Sequence, residues 1–425
     1  MKKGKKRVRI IDALDRSKER IETPEFLKRA RKRPQDFTRS RKMPFTLVVY
    51  FILNMIKASI QTCLDKFFEN VGNGDVQMSQ QSFCEARDKI KWSAFRELFK
   101  ANVEHIYTYY YDTWRGYRLS AIDGSKAQIP DDNKLRCHFG TMGKDNSAAT
   151  GQASLMYDML NNVIIDAHLQ PLRYDERTLA LWHMDELRSL SPDSLECIIF
   201  DRGYASFDML EDLTERKINY VMRVKKGFSK AVDEASEADG EVVLKRQGRE
   251  DINVRVVKFA LPSGEVETLI TDLWDKELCI EEFKALYFLR WPVETKIDEI
   301  KNKLEVENFS GRTVNAVMQD FFVSMYMSNM IAIASWEAQE RLDEEREGKE
   351  NKYQYNVNVS NAIGAFKDRF IKAMLEPRPR VRSRKALRII LLMSKHPTPE
   401  RPGRSNPRNK SPRKAKFRHN RKSNC

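Results

Sequence analysis

The sequence predicts a mixed α/β core set between helical segments, and three observations predict it. Between residues 117 and 227, apolar runs of strand length alternate with amphipathic helical patterns. Before residue 112 and after residue 280 the pattern is helical. Between 228 and 280, the runs EVVLKRQ, DINVRVVKFA and VETLITDLWD are short, strand-like and joined by polar turns, which reads as a β-rich insertion.

The bulk numbers agree with a large folded body. The chain has 425 residues, 41% of them hydrophobic and 10% aromatic, enough to fill a substantial core in one large domain with insertions or in two or three smaller ones. Charged residues make up 32%, and the net charge is +15. Such a balance suits a polyanionic partner, nucleic acid being the commonest; an anionic lipid surface or plain solubility are the other readings. The six cysteines, at 63, 84, 137, 197, 279 and 425, form no CxxC pair. That argues against a structural zinc site and a disulfide scaffold and fits a reducing cytosol. The basic start MKKGKKRVRI lacks the apolar run of a signal peptide, and the apolar stretch 45–60 is too short to span a bilayer, so a buried helix is expected there.

Taken in order, residues 1–42 read as a basic N-terminal arm and 43–112 as a helical DNA-binding domain, with a buried helix over 43–68, a turn at VGNGD (71–75) and helical pattern over 79–112. No recognition helix stands out. Residues 113–227 form the first part of the core: a strand over 117–130, a hairpin of 153–160 and 162–170 turning at Asn161-Asn162, a helix over 175–190, a strand within LECIIFDRGYAS (195–206) ending in Asp201, a helix over 207–217 and a strand over 218–227. The insertion occupies 228–280, and 281–345 is the second part of the core. A helical region over 346–394 precedes a Pro-, Arg- and Lys-rich tail, 395–425, expected to be disordered and to hold phosphates without reading sequence, or only to keep the chain soluble.

Two aspartates carry the chemical reading. Asp123 closes one apolar strand and Asp201 another, and each is followed within two residues by glycine, Gly124 or Gly203. Carboxylates at strand ends, beside a residue that lets a backbone or phosphate approach, suit hard divalent cations such as magnesium and manganese. Each aspartate alone could equally be a turn former, and Glu294 alone a solvated helix residue. In YFLRWPVETKIDEIKNKL (287–304), helical turning of about 100° per residue returns Tyr287, Arg290, Glu294 and Lys301 to roughly one face. Pro292 allows a second geometry, in which a helix begins there with proline in its first turn. His138, His168 and His183 show no paired metal spacing, and CHFGTMGKD (137–145) lacks the P-loop pattern and reads as a loop near the first aspartate. Arg202 and Lys126 are candidate phosphate contacts, although Arg202 could instead pair with an acid.

These residues resemble the IS4-type bacterial insertion-sequence transposases, DDE enzymes with a ribonuclease-H-like core. The family's Y-x2-R-x3-E-x6-K element is matched by Tyr287, Arg290, Glu294 and Lys301, with Trp291 after the arginine; its two aspartates are matched by Asp123 in AIDGSKAQIP and Asp201 in IIFDRGY. YVMRVKKG (220–227) resembles the strand before the family's β-rich insertion, and the likeness covers roughly 115–330. The resemblance implies a ribonuclease-H-like mixed-sheet catalytic core with that insertion, a helical N-terminal domain and a basic disordered tail. It implies that Asp123, Asp201 and Glu294 bind two Mg²⁺ ions, with Mn²⁺ able to substitute, and that Tyr287, Arg290 and Lys301, joined by Arg202 and Lys126, hold DNA phosphates. The implied reaction cleaves transposon ends and joins the 3′-OH to target DNA. The implied partners are double-stranded terminal repeats and target DNA, with a homodimer in the DNA complex and no membrane. The implied setting is the cytoplasm, at the nucleoid. A ribonuclease-H-like nuclease without strand transfer and a non-catalytic DNA binder remain the alternatives.

Overall fold

The computed structural model describes residues 6–39, 42–71, 78–143, 148–190, 194–261, 264–350 and 352–401. The chain divides into two compact units. One comprises Tyr111–Ala127 and Gly151–Asp298; the other comprises Met1–Tyr110, Gln128–Thr150 and Glu299–Cys425.

The first unit is built on a mixed sheet. Strand β1 (Tyr117–Gln128) pairs in parallel with β5 (Leu195–Phe200), in register Leu119↔Cys197 and Ala121↔Ile199, and β5 pairs in parallel with β6 (Asn219–Val224). In LECIIF the run CIIF is apolar because parallel strands are covered on both faces, and the buried Glu196 is paired with Arg118 of β1. On the outer side of β1 lies the hairpin of β3 (Ala148–Asp158) and β4 (Val163–Pro171). Its turn puts Asn162 at φ 55°, a left-handed conformation that asparagine tolerates, in agreement with the turn expected at Asn161-Asn162. Helix α8 (Glu176–Leu190) packs on β4, and α9 (Phe207–Glu215) packs on β6.

The segment expected as a β-rich insertion is built of strands, and they join the sheet of the core. After a short helix α10 (Lys230–Glu234), strands β7 (Asp239–Leu244), β8 (Ile252–Ala260) and β9 (Val266–Thr271) extend the same sheet, because β9 pairs antiparallel with β6. Alternating burial in these runs shows that a strand has a covered face, not which sheet it joins.

Helix α11 (Ile280–Phe288) covers this sheet with Phe283, Leu286 and Tyr287, which share a core cluster with Leu119, Cys197, Ile199, Val221 and Leu269. A new helix, α12 (Trp291–Asn302), starts immediately afterwards. Of the two geometries open at Pro292, the structure has the second. Proline stands in the first turn, where its missing N–H leaves no bond unmade, so Tyr287 and Glu294 lie on different helices.

The second unit is helical. Its centre is α13 (Val314–Arg346), buried on every side from Ala316 to Ala334, as the run AVMQDFFVSMYMSNMIAIA, with a single charge, requires. Helices α1 (Ile10–Glu22), α3 (Phe45–Leu53), α5 (Gln80–Asp88), α6 (Ser93–Tyr107), α7 (Asn133–Phe139), α14 (Val359–Met374) and α15 (Pro379–Ser394) all pack against it.

Several expectations change here. The supposed arm 1–42 contains α1 and α2 (Pro24–Ala30). Ile10, Ala13, Leu14, Ser17 and Ile21 form a buried stripe at helical spacing, and Thr23 caps α2 by accepting from Phe26 N at 3.2 Å. The stripe is hidden in the sequence by the lysines and arginines around it. The single helix expected over 43–68 is two, α3 and α4 (Ile60–Val71), with Met55 at φ 54° between them. The supposed loop 137–145 begins inside α7 and continues into β2 (Thr141–Met142), which pairs with Ala148 and Ala149; residues 144–147 lie outside the described residues. Strands β10 (Tyr355–Asn356) and β11 (Thr398–Pro399) pair with each other, so order continues past residue 395. The tail from 402 onward and residues 72–75 of the VGNGD turn fall outside the described residues. Among the described residues, no helix is long and apolar enough to cross a membrane.

Candidate active site

The parallel pairing of β1 with β5 brings Asp123, within β1, and Asp201, the residue that follows β5, to neighbouring strands. The charge of Asp201 is near enough to add to the burial that disfavours the Asp123 anion. Each carboxylate is fixed by a glycine N–H: Gly124 donates to Asp123 Oδ1 at 2.9 Å and Gly203 to Asp201 Oδ1 at 2.7 Å. Glu294 enters from the first turn of α12, where its Oε1 accepts from Arg290 Nη2 at 2.7 Å.

The electrostatics show that these three acids are close. Burial pushes Asp123 up to about 6; Arg290 and the Gly124 N–H oppose this, while the negative charges of Asp201 and Glu294 add to it. Arg290 is buried, and among the described residues its Nε has no hydrogen-bond partner. Burial would lower the basicity of Arg290, but its bond to Glu294 and the proximity of Tyr287 and Asp201 hold it above the usual arginine range. Tyr287 is 6% exposed and belongs to the sheet core, so it packs as well as facing the arginine.

Of the other expected contacts, Arg202 is exposed and close enough to Glu267 to influence its ionisation. Lys126 is exposed and bonded to Gln152 Oε1. Lys301 belongs to the helical unit, where it lies 3.5 Å from Glu307.

The donor set of Asp123, Asp201 and Glu294 fits hard divalent ions. It is all oxygen, and it leaves Asp123 deprived of positive charge that Arg290 alone does not supply. With no ion bound, Asp123 should cost stability. Its folded value is raised above the carboxylate norm, so its stabilising contribution is present below about pH 4 and is lost as pH rises through about 6. Asp123→Asn is therefore expected to melt with the wild type at pH 4. In EDTA at pH 7.5 it should be the more stable by about 1–2 kcal/mol. Thermal melts across pH check this.

A second cluster was not expected. Asp166, His168 and His183 bring their ligand atoms within 4.8 Å of one another, the one group of this kind among the described residues, and form a candidate metal-coordinating triad. The sequence reading found no metal spacing for these histidines, because it spans two elements. Residues 166 and 168 share one face of β4, and His183 comes from α8. The triad is also a hydrogen-bonded string: Ser154 Oγ lies 2.9 Å from His183 Nε2, and His183 Nδ1 lies 2.8 Å from Asp166 Oδ2, with His168 Nε2 3.0 Å from the same oxygen. Burial works against the Asp166 anion, but its two histidine bonds hold it well below the usual carboxylate range; burial lowers His183. His183→Ala would leave a buried carboxylate and a buried hydroxyl short of partners. It is expected to cost about 2–4 kcal/mol in urea unfolding.

Comparison with known proteins agrees with the geometry. The family described as Transposase DDE domain matches residues 114–330, half of the chain. A Sinorhizobium fredii protein named as a transposase, y4zB, is 26% identical over 162 residues, covering 35% of this chain and 45% of its own. An Escherichia coli K12 protein named as a transposase, InsZ, is 22% identical over 190 residues, covering 43% of this chain and 61% of its own. The chain thus spans about half the length of these relatives. In fold it is similar to a piggyBac transposase solved in a synaptic complex with hairpin DNA, with a TM-score of 0.50 and 12% identity over 92% of this chain and 87% of that one. The matched segment contains Asp123, Asp201 and Glu294, and the chain belongs to the Transposase DDE domain family, related to the transposases of insertion sequences.

Proposed function

We propose that this chain is a DNA transposase that cleaves the ends of a mobile element and joins the freed 3′-OH to target DNA. What supports the reading is that Asp123 and Asp201 belong to or follow the paired strands β1 and β5, that Glu294 is bonded to Arg290, and that the charges of Asp201 and Glu294 act on Asp123. Two Mg²⁺ ions, or Mn²⁺ in their place, would be held by these three carboxylates and would supply charge stabilisation to the attacking and leaving oxygens of phosphoryl transfer. The chain's own groups do the positioning. Arg290 keeps a buried Nε donor for a phosphate oxygen while its Nη2 holds Glu294. Tyr287 supports the arginine, and Lys301, Arg202 and Lys126 are the further phosphate contacts. Double-stranded element ends and target DNA are the partners, and the net charge of +15 supports salt-sensitive affinity for both. Joining two ends calls for a homodimer on DNA, and the setting is the cytoplasm, at the nucleoid.

The test supplies Mg²⁺, a labelled duplex carrying the DNA that flanks the gene, and a supercoiled target. Cleavage at a fixed end position followed by joined product is the expected result. Cutting without joining, with both ends supplied, makes the protein a nuclease. Specific binding without cleavage makes it a DNA binder and removes the ion-site assignment.

A further inference from the structure

A fourth carboxylate stands beside the three already described. Glu176 opens α8, and Asp175 caps that helix by accepting from Thr178 N at 2.7 Å. The turn is tied to the loop after Asp201: Arg177 Nη2 donates to Gly203 O at 3.2 Å and Ala205 O at 3.3 Å. The Glu176 carboxylate lies directly on Gly124, the residue that also holds Asp123. A Cβ at Gly124 would stand 2.7 Å from Glu176 Oε1 and 2.8 Å from its Cδ and Cγ. The missing Cβ leaves room for that carboxylate against β1. Gln152 Nε2 donates to the same Oε1 at 3.3 Å.

An independent observation points the same way. Tyr204 is 2% exposed, and among the described residues its hydroxyl has no hydrogen-bond partner. Burial suppresses its ionisation, and the negative charges of Glu176, Asp123 and Asp201 add to that, in this order. A buried O–H donor among three acids, with none of them accepting from it, is short of an acceptor that an ion-bound water or a turned carboxylate would provide.

We propose that Glu176 is a fourth carboxylate of the ion site, delivered from α8 over the bare backbone of Gly124, with the Tyr204 hydroxyl orienting the oxygens gathered there. The inference rests on the ion-site reading above, and its ligand is a hard divalent cation. Glu176 is exposed, so replacing it leaves the core intact.

The test measures Mn²⁺ binding to the full chain by electron paramagnetic resonance, without DNA. The proteins are the wild type, Glu176→Gln, Glu176→Asp, Gly124→Ala, Tyr204→Phe and, as reference, Glu294→Gln; melting curves check the fold of each. Glu176→Gln is expected to weaken Mn²⁺ about tenfold or more. Gly124→Ala should match it, because the new methyl takes the space of the carboxylate without removing any charge. Combining the two changes should weaken binding no further. Glu176→Asp should recover part of the loss, and Tyr204→Phe should weaken binding by a smaller factor. Wild-type affinity in Glu176→Gln, with Glu294→Gln weakened, overturns this inference alone. Wild-type affinity in both variants, or no Mn²⁺ bound by the wild type, overturns the ion-site reading and this inference with it.

Discussion

Glu294→Gln is expected to lower single-turnover cleavage of end DNA by about 10³-fold or more, with little change in affinity for the same duplex. Glutamine keeps the shape of the side chain and still offers Arg290 an oxygen in place of the present 2.7 Å bond, so α12 and the guanidinium stay where they are. What disappears is one negative charge facing Asp123 and Asp201. On the proposed reading, an ion held by three acids would be bound by one negative charge fewer, and its stabilisation of the charge developing on the phosphate would weaken. A gel that separates bound, nicked and joined DNA gives both numbers in one experiment. A loss of binding equal to the loss of cleavage would contradict the assignment, because a residue acting on ions in the reaction should spare ground-state affinity.

The largest expected effect on stability lies in the helical unit. Arg87 is 3% exposed and donates to Gln319 Oε1 at 2.6 Å, Ser310 Oγ at 2.6 Å, Ala316 O at 2.9 Å and Asp320 Oδ1 at 2.7 Å. It thereby neutralises the one charge in the buried part of α13. Arg87→Met is expected to cost about 3–5 kcal/mol in chemical denaturation, because Asp320 is left buried and ionised. Adding Asp320→Leu should recover most of that loss, since an apolar pair replaces the ion pair. If the double variant is no better than the single one, the cost arises from lost packing and from Ser310 and Gln319 rather than from the stranded charge.

Much of the sheet-bearing unit was legible in the sequence, and the reasons are local. LECIIF and YRLSAI are largely apolar runs followed by acids, so both strands could be read directly; Asp201 does follow β5, whereas β1 continues to Gln128 and Asp123 stands within it, not at its end as expected. The resemblance resting on Tyr287, Arg290, Glu294 and Lys301 agrees with the family match over 114–330. Pairing partners were not legible. Strands β7 to β9 looked like an insertion because their burial pattern is the same whether they form a separate sheet or extend β6. The Asp166, His168 and His183 cluster escaped notice because a metal spacing is sought within one element, whereas this group is assembled by α8 folding back onto β4. Glu176 was passed over for a different reason. An exposed acid in the first turn of a helix is already explained by the helix dipole, and only its contact with Gly124 singles it out.

The pairing of β1 with β5, which brings Asp123 and Asp201 to neighbouring strands, also has a temporal meaning. The chain is made from its N-terminus, and parallel strands far apart in sequence pair only after everything between them has been synthesised. Glu294 is later still, beyond the three strands that widen the sheet. On the ribosome, the first aspartate is therefore exposed to solvent long before its companions arrive, and no shorter nascent fragment carries the full set of acids. Any reaction that depends on all three begins only when most of the molecule has been completed.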